Sequence, residues 1–80
     1  MSTLAIEVEP LAVAVSCTED ALHVVLADGR EVSVPLTWSP RLLMATPEQR
    51  NEWRLIGSGV GIHWESVDED ISVESLLRLR

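Results

Sequence analysis

The chain contains no lysine, no tyrosine and no phenylalanine, and it has a single cysteine, Cys17. Each shortage excludes something. One cysteine cannot close an internal disulfide. Six arginines stand against thirteen acidic residues, for a net charge of −7 and a pI near 4.5, and such a balance opposes nucleic acid and anionic membrane as direct partners. No apolar run approaches the roughly 18 residues of a membrane span, and no charged start leads into an apolar signal core. A cytoplasmic protein is expected. With aromatic rings limited to Trp38, Trp53 and Trp64, the core needs at least two of the three tryptophans.

Catalytic spacings are missing as well. There is no CxxC, no HExxH and no Ser-His-Asp order, so no enzyme activity and no cofactor are expected. Gly57-Ser58-Gly59-Val60-Gly61 lacks the Lys-Ser/Thr of a phosphate loop and reads as a connection between two elements. His63, Glu65, Asp68 and Asp70 hold metal-ligating atoms, but the glycine of a calcium loop is absent from their pattern. A solvated acidic turn ahead of the last helix is the expected reading, and no metal is assigned. Cys17 ends an apolar strand with no charged neighbour to lower its pKa, and His23 sits in mid-strand; both are read as packing residues.

What is present is a strong hairpin. Ala21 to Ala27 and Arg30 to Pro35 are runs rich in Val and Leu, separated by Asp28-Gly29. That dipeptide suits a type I′ turn with positive φ at both central residues. Val32 and Val34 share one face of the third strand, with Glu31 and Ser33 on the other. The second strand is apolar on both faces, so its outer face should be covered by a helix or another chain. Leu11 to Cys17, joined to the hairpin by the polar Thr18-Glu19-Asp20, completes an antiparallel meander. Leu4 to Glu9, closed by Pro10, is read as an edge strand or ordered arm.

Past Pro35 the signals turn helical. Ser39 or Pro40 starts a short turn or helix. Thr46-Pro47-Glu48-Gln49 carries a capping box with proline in the first turn, which predicts a helix over about 47–55 that stops before Gly57. Ile62-His63-Trp64 should rejoin the sheet as a short strand. Ser72 should cap a last helix over about 73–79, whose Val73, Leu76, Leu77 and Leu79 make an apolar stripe.

The expected fold is therefore α+β: an antiparallel meander of three strands (about 12–17, 21–27 and 30–35) plus a short fourth, packed against two short helices. Residues 1–10 form an arm or edge strand and residues 11–80 a single domain. A chain of 80 residues removes roughly 60–65% of its unfolded surface on folding. Its core contributes a net stability of about 3–5 kcal/mol, so a homo-oligomer is among the expected states. Arginine and tryptophan dominate binding energy where they become buried, and the 38–54 segment carries both. Trp38, Arg41, Arg50 and Arg54 are thus the candidate partner-binding residues, in preference to the acidic 65–74 stretch.

Several segments together resemble a known family. They are Asp28-Gly29-Arg30, Val34-Pro35-Leu36, Trp38, Pro40-Arg41-Leu42, Ala45-Thr46, Gly61-Ile62-His63-Trp64 and Asp68 to Glu74 with Leu76-Leu77. In this order they are similar to the small bacterial domain of unknown function 2442 (DUF2442), over roughly residues 11–79. The resemblance implies a small α+β domain, sometimes fused to a helix-turn-helix domain and often encoded beside a toxin-like small protein. It supplies no catalytic residues. The expected function is an acidic, non-enzymatic protein-interaction module, the antitoxin-like partner of a neighbouring small basic protein. The alternative is an accessory domain, for dimerisation or sensing, of a DNA-binding transcriptional regulator.

Overall fold

Two three-stranded antiparallel meanders, one after the other in the chain, face a shared core in the computed structural model, which describes residues 10–78. The expected arm or edge strand over residues 1–10 lies, apart from Pro10, outside the described residues. The first sheet comprises β1 (Ala12–Cys17), β2 (Ala21–Leu26) and β3 (Glu31–Pro35) in that order. The second comprises β4 (Trp53–Ile56), β5 (Gly61–Trp64) and β6 (Glu69–Ser72). Between them lie two single-turn helices, α1 (Pro40–Leu43) and α2 (Pro47–Arg50), and α3 (Val73–Leu76) follows β6. The fold is a small α+β fold, with strand outweighing helix.

In the first sheet, Leu22, Val24 and Leu26 point inward from β2 and Val34 from β3, all buried. His23 and Val25 alternate with them and stay half-buried, and across that outer face Nδ1 of His23 lies 2.6 Å from Oγ of Ser33. The register of β1 against β2 slips between Ala12 and Ala14. This β-bulge turns Val13 out, 54% exposed, and brings Ala12 and Val15 to the same buried face.

The hairpin turn differs from the expected type I′. Only Gly29 has positive φ, at 94°; Asp28 is outside that region. Gly29 N–H donates to Leu26 C=O at 2.9 Å and Leu26 N–H to Arg30 C=O at 2.8 Å. That is a three-residue loop, a type I turn followed by a left-handed glycine. The Asp28 side chain holds it from outside, accepting from Arg30 N–H at 3.0 Å and from Arg30 Nε at 2.7 Å.

The second half departs further. The capping box forms as read, with Thr46 and Gln49 bonding each other's backbone N–H. The helix over 47–55 does not: α2 ends at Arg50, and Trp53–Ile56 is a strand paired with β5. Extended, Trp53 and Leu55 turn inward together and sit opposite Trp64 and Ile62, so burial against a partner strand outweighs local helix propensity. The 61–64 strand is real, but it belongs to this second sheet and does not rejoin the first. The acidic 65–74 stretch, expected as a solvated turn, is a 3-10 turn over Glu65–Val67 followed by β6. Asp68 takes left-handed φ of 53° to join the two. The last helix is capped by Ser72, which accepts from Ser75 N–H at 3.2 Å, but it spans Val73–Leu76, shorter than the expected 73–79.

One cluster links the two sheets: Ile62 and Trp64 from β5, Leu36, Leu42 from α1 and Val73 from α3 meet the inner face of the first meander. Backbone also meets backbone. Gly59 (φ 109°) lies against Ala12 so closely that a Cβ there would overlap the Ala12 carbonyl oxygen and come within 2.9 Å of its nitrogen. The bulged start of β1 therefore seats on the turn between β4 and β5, where only glycine fits.

Candidate functional site

Where β3 ends and β6 begins to feed α3, the two sheets leave an open groove of about 510 Å³, within the roughly 300–1,000 Å³ range of ligand-holding clefts. One wall carries Pro35, Trp38 and Leu42; the other carries Glu69, Ile71 and Leu76. Trp38 ends the 3-10 turn Leu36–Trp38 and is 36% exposed. The tryptophan of the 38–54 segment and the acids of the 65–74 stretch, which the sequence presents as two rival surfaces, line the same groove.

The remaining candidate arginines have other partners. Arg41 on α1 donates from Nη1 to Asp68 C=O at 2.6 Å and Val67 C=O at 3.4 Å, with the Asp68 carboxylate 3.7 Å away. It ties α1 to the turn before β6. Arg50 donates from Nε to Leu42 C=O and from Nη2 to Leu43 C=O, both at 2.9 Å, which satisfies carbonyls at the end of α1. The Arg50 main-chain carbonyl accepts from Nε1 of the buried Trp64 at 3.1 Å. Arg54 lies on β4 with Glu65 at 3.8 Å. None of Arg41, Arg50 and Arg54 lines the groove; of the four candidate residues only Trp38 does.

The groove's acidic wall is built from β6. Ser39 is buried, caps α1 and donates its hydroxyl to Oε2 of Glu69 at 2.6 Å. The other oxygen of that carboxylate accepts Asp70 N–H at 3.1 Å. Behind the wall, His63 on β5 is held between two carboxylates. Its Nδ1 meets Asp70 Oδ1 in a short contact, and its Nε2 meets Glu65 Oε1 at 3.0 Å. The Asp70 hydrogen bond is the main reason this imidazole holds its proton above the ordinary histidine range; partial desolvation opposes it and Glu65 adds to it. His63, Glu65 and Asp70, considered together as metal donors, are thus engaged with one another, while Asp68 turns to Arg41. Among the described residues no group of three or more His, Cys, Asp or Glu is arranged to hold a metal ion.

Cys17 lies outside the groove, half-buried beside Pro47, Arg50 and Asn51. Burial pushes its thiol pKa up, with Arg50 opposing. Ser39 was readable as a helix start, but Glu69 as its partner was not: thirty positions separate them, and the Asp68-Glu69-Asp70 run reads as uniformly solvated. The faint signal was Ile71 and Val73 alternating with polar neighbours.

A sandwich of two short meanders with a groove at one end defines a small α+β domain, and solved structures share it. A crystal structure of a protein of unknown function from Rhodospirillum rubrum ATCC 11170 matches with a TM-score of 0.76 at 28% identity, over 88% of this chain and 87% of that one. The solution NMR structure of an uncharacterised protein from Chromobacterium violaceum matches with a TM-score of 0.71 at 30% identity, over 84% of this chain and 63% of that one. No curated protein matches. The family model described as "Protein of unknown function (DUF2442)" matches residues 12–80. The chain belongs to that family, as its motifs imply. Among the described residues no helix is long and apolar enough to cross a membrane.

Proposed function

We propose that this domain is a non-enzymatic, acidic protein-interaction module that receives a basic protein partner in the Trp38 groove, in the manner of an antitoxin-like protein encoded beside its target. The observation that carries the reading is the groove itself: a half-exposed tryptophan and apolar side chains face Glu69 and Asp70 across an open cleft. Tryptophan in such a setting is the residue type that most often anchors a complex. A net charge of −7 favours rapid encounter with a basic surface. The titratable and nucleophilic groups nearby support the same reading, because Ser39, Glu69, Asp70 and His63 are all engaged in bonds that hold the scaffold together.

The test is co-expression with the product of the adjacent reading frame. A stable complex is expected, and Trp38→Ala should weaken it about tenfold or more, a loss of about 1.4 kcal/mol. The variant's thermal transition must first match the parent's, so that lost binding is not lost folding. Full affinity in a folded Trp38→Ala variant would place the contact elsewhere. A helix-turn-helix protein as the neighbour would favour the accessory-domain alternative.

A further inference from the structure

Four consecutive residues of β6, Glu69 to Ser72, line the groove. Successive side chains of a strand point to opposite faces, so a cleft touching all four runs along the strand's edge. Among the described residues β6 is the outer strand of the second sheet, with β5 on its other side.

Two hydrogen bonds fix which backbone groups that edge displays. Val73 N–H donates to Val60 C=O at 2.9 Å, one step beyond the Gly61 and Ser72 pair. Antiparallel pairs alternate between bonded and non-bonded. Ile71 and Glu69 therefore bond toward β5, while Ser72 and Asp70 present their backbone groups outward. The second bond agrees: Asp70 N–H donates to the side chain of Glu69. The non-bonded pairing of His63 with Asp70 also explains why those two side chains meet, since side chains are closer at such pairs.

The opposite wall cannot offer a comparable edge. Pro35 has no N–H, and Leu36 N–H is already bonded to Asp20 C=O at 2.9 Å. Proline on an edge strand is a common guard against strand addition. On β6 the guard is the Glu69 carboxylate, which covers Asp70 N–H and is itself steadied by Ser39.

We infer that the partner enters as an extended basic segment that adds to the outer edge of β6 as a fourth strand of the second sheet, with Glu69 swinging off Asp70 N–H to meet a cationic side chain. This deepens, and rests on, the reading of the groove as a docking site. The occupant must be extended, because the available bonds are those of a strand edge: Asp70 N–H and C=O, and Ser72 N–H. It must be basic, because Glu69 and Asp70 stand on that edge. An apolar side chain on its other face meets Trp38 and Pro35.

The experiment uses the full chain and a short acetylated peptide of alternating arginine and valine. Strand addition draws affinity from main-chain bonds and tolerates sequence, so a generic peptide suffices. Titration followed by amide NMR should move the Asp70 and Ser72 amides and protect them from hydrogen exchange. Two further peptides, N-methylated at every valine or at every arginine, block one strand edge each, and at least one should bind about tenfold weaker. Glu69→Gln, whose carboxamide can still bond the Ser39 hydroxyl, should reduce the salt dependence of binding. If both methylated peptides bind like the parent while Trp38 signals shift, the groove docks a partner without strand pairing, and this inference fails with the docking function intact. Failure of the parent peptide to perturb Asp70 and Ser72 overturns it too, whatever the neighbour's product does. Protection of those amides in a concentration-dependent dimer without peptide would assign the edge to a second copy and overturn it likewise.

Discussion

The two meanders share a topology and differ in what specifies them. The first has strands of six, six and five residues, an Asp-Gly turn and valines on alternate positions, so local preference and tertiary packing agree. The second is built from four-residue strands with arginine, histidine, glutamate and aspartate among them. Its shape depends on remote bonds: Trp64 to the Arg50 carbonyl, Ser39 to Glu69, Arg41 to the Asp68 carbonyl. One sheet is encoded largely by its own residues, and the other is assembled by its surroundings.

The sharpest way to break the second sheet is Trp64→Ala. Trp64 is fully buried and faces Trp53 across the ladder, and losing such a side chain costs about 3–5 kcal/mol. That equals the whole net stability of about 3–5 kcal/mol expected for a core of this size. Urea titration followed by far-ultraviolet circular dichroism should find the variant largely unfolded in buffer. A cooperative transition close to the parent's would show that Trp64 is dispensable to the core.

The two turn glycines separate the sheets next. Both have positive φ, at 94° for Gly29 and 109° for Gly59, but a Cβ on Gly29 meets open space while one on Gly59 strikes the Ala12 backbone. Gly29→Ala should cost about 1–2 kcal/mol from backbone conformation alone. Gly59→Ala adds an overpacking cost of about 1–3 kcal/mol and should push β1 off the second sheet. Equal urea midpoints for the two variants would refute the seating of β1 on that turn.

A smaller contrast comes from pH. His63 in the second sheet has a raised pKa, so its contribution is complete below the ordinary histidine value of about 6.5 and is lost as pH rises through the raised value. Asp28 in the first has a lowered pKa, mainly from the Arg30 backbone N–H. Its contribution is present above the ordinary carboxylate value of about 3.9 and is lost as pH falls through the lowered one. Amide protection factors should therefore decline in β5 and β6 as pH rises above about 6.5, while β2 and β3 hold steady over the same change. A His63→Gln variant should show no such decline.

The same contrast explains what could be read from the chain. The first meander was legible because Leu22, Val24, Leu26 and Val34 repeat at the strand period and Asp28-Gly29 marks the reversal. Even the misassigned turn type left the pairing intact, since a left-handed Gly29 suffices. The Thr46–Gln49 capping box and the Ser39 and Ser72 caps were legible for the same reason: their bonds are local. The strand at 53–56 was hidden because Trp53 and Leu55 find their partners at 64 and 62, across a glycine-rich turn that carries no pairing signal. β6 was hidden because three acids in a row resemble a solvated loop, and only Ser39, thirty positions away, and His63, on the paired strand, give Glu69 and Asp70 fixed places. Of the candidate site, the partial exposure of Trp38 was readable; that the acidic stretch forms the facing wall was not.

Arg50 shows how such an arrangement shapes mutational data. Its guanidinium closes the end of α1 and its carbonyl holds the deepest indole of the second sheet, so one position joins the two connecting turns to a strand downstream. A fork of donors can bridge the Leu42 and Leu43 carbonyls together, whereas a lysine ammonium on a flexible stem is a poorer geometric match. In a saturation scan scored by partner binding, position 50 would register as intolerant even to Lys, with a profile easily mistaken for a contact. Scoring the same library for cellular abundance alongside binding would separate such scaffold positions from the groove, because their losses would move the two scores together.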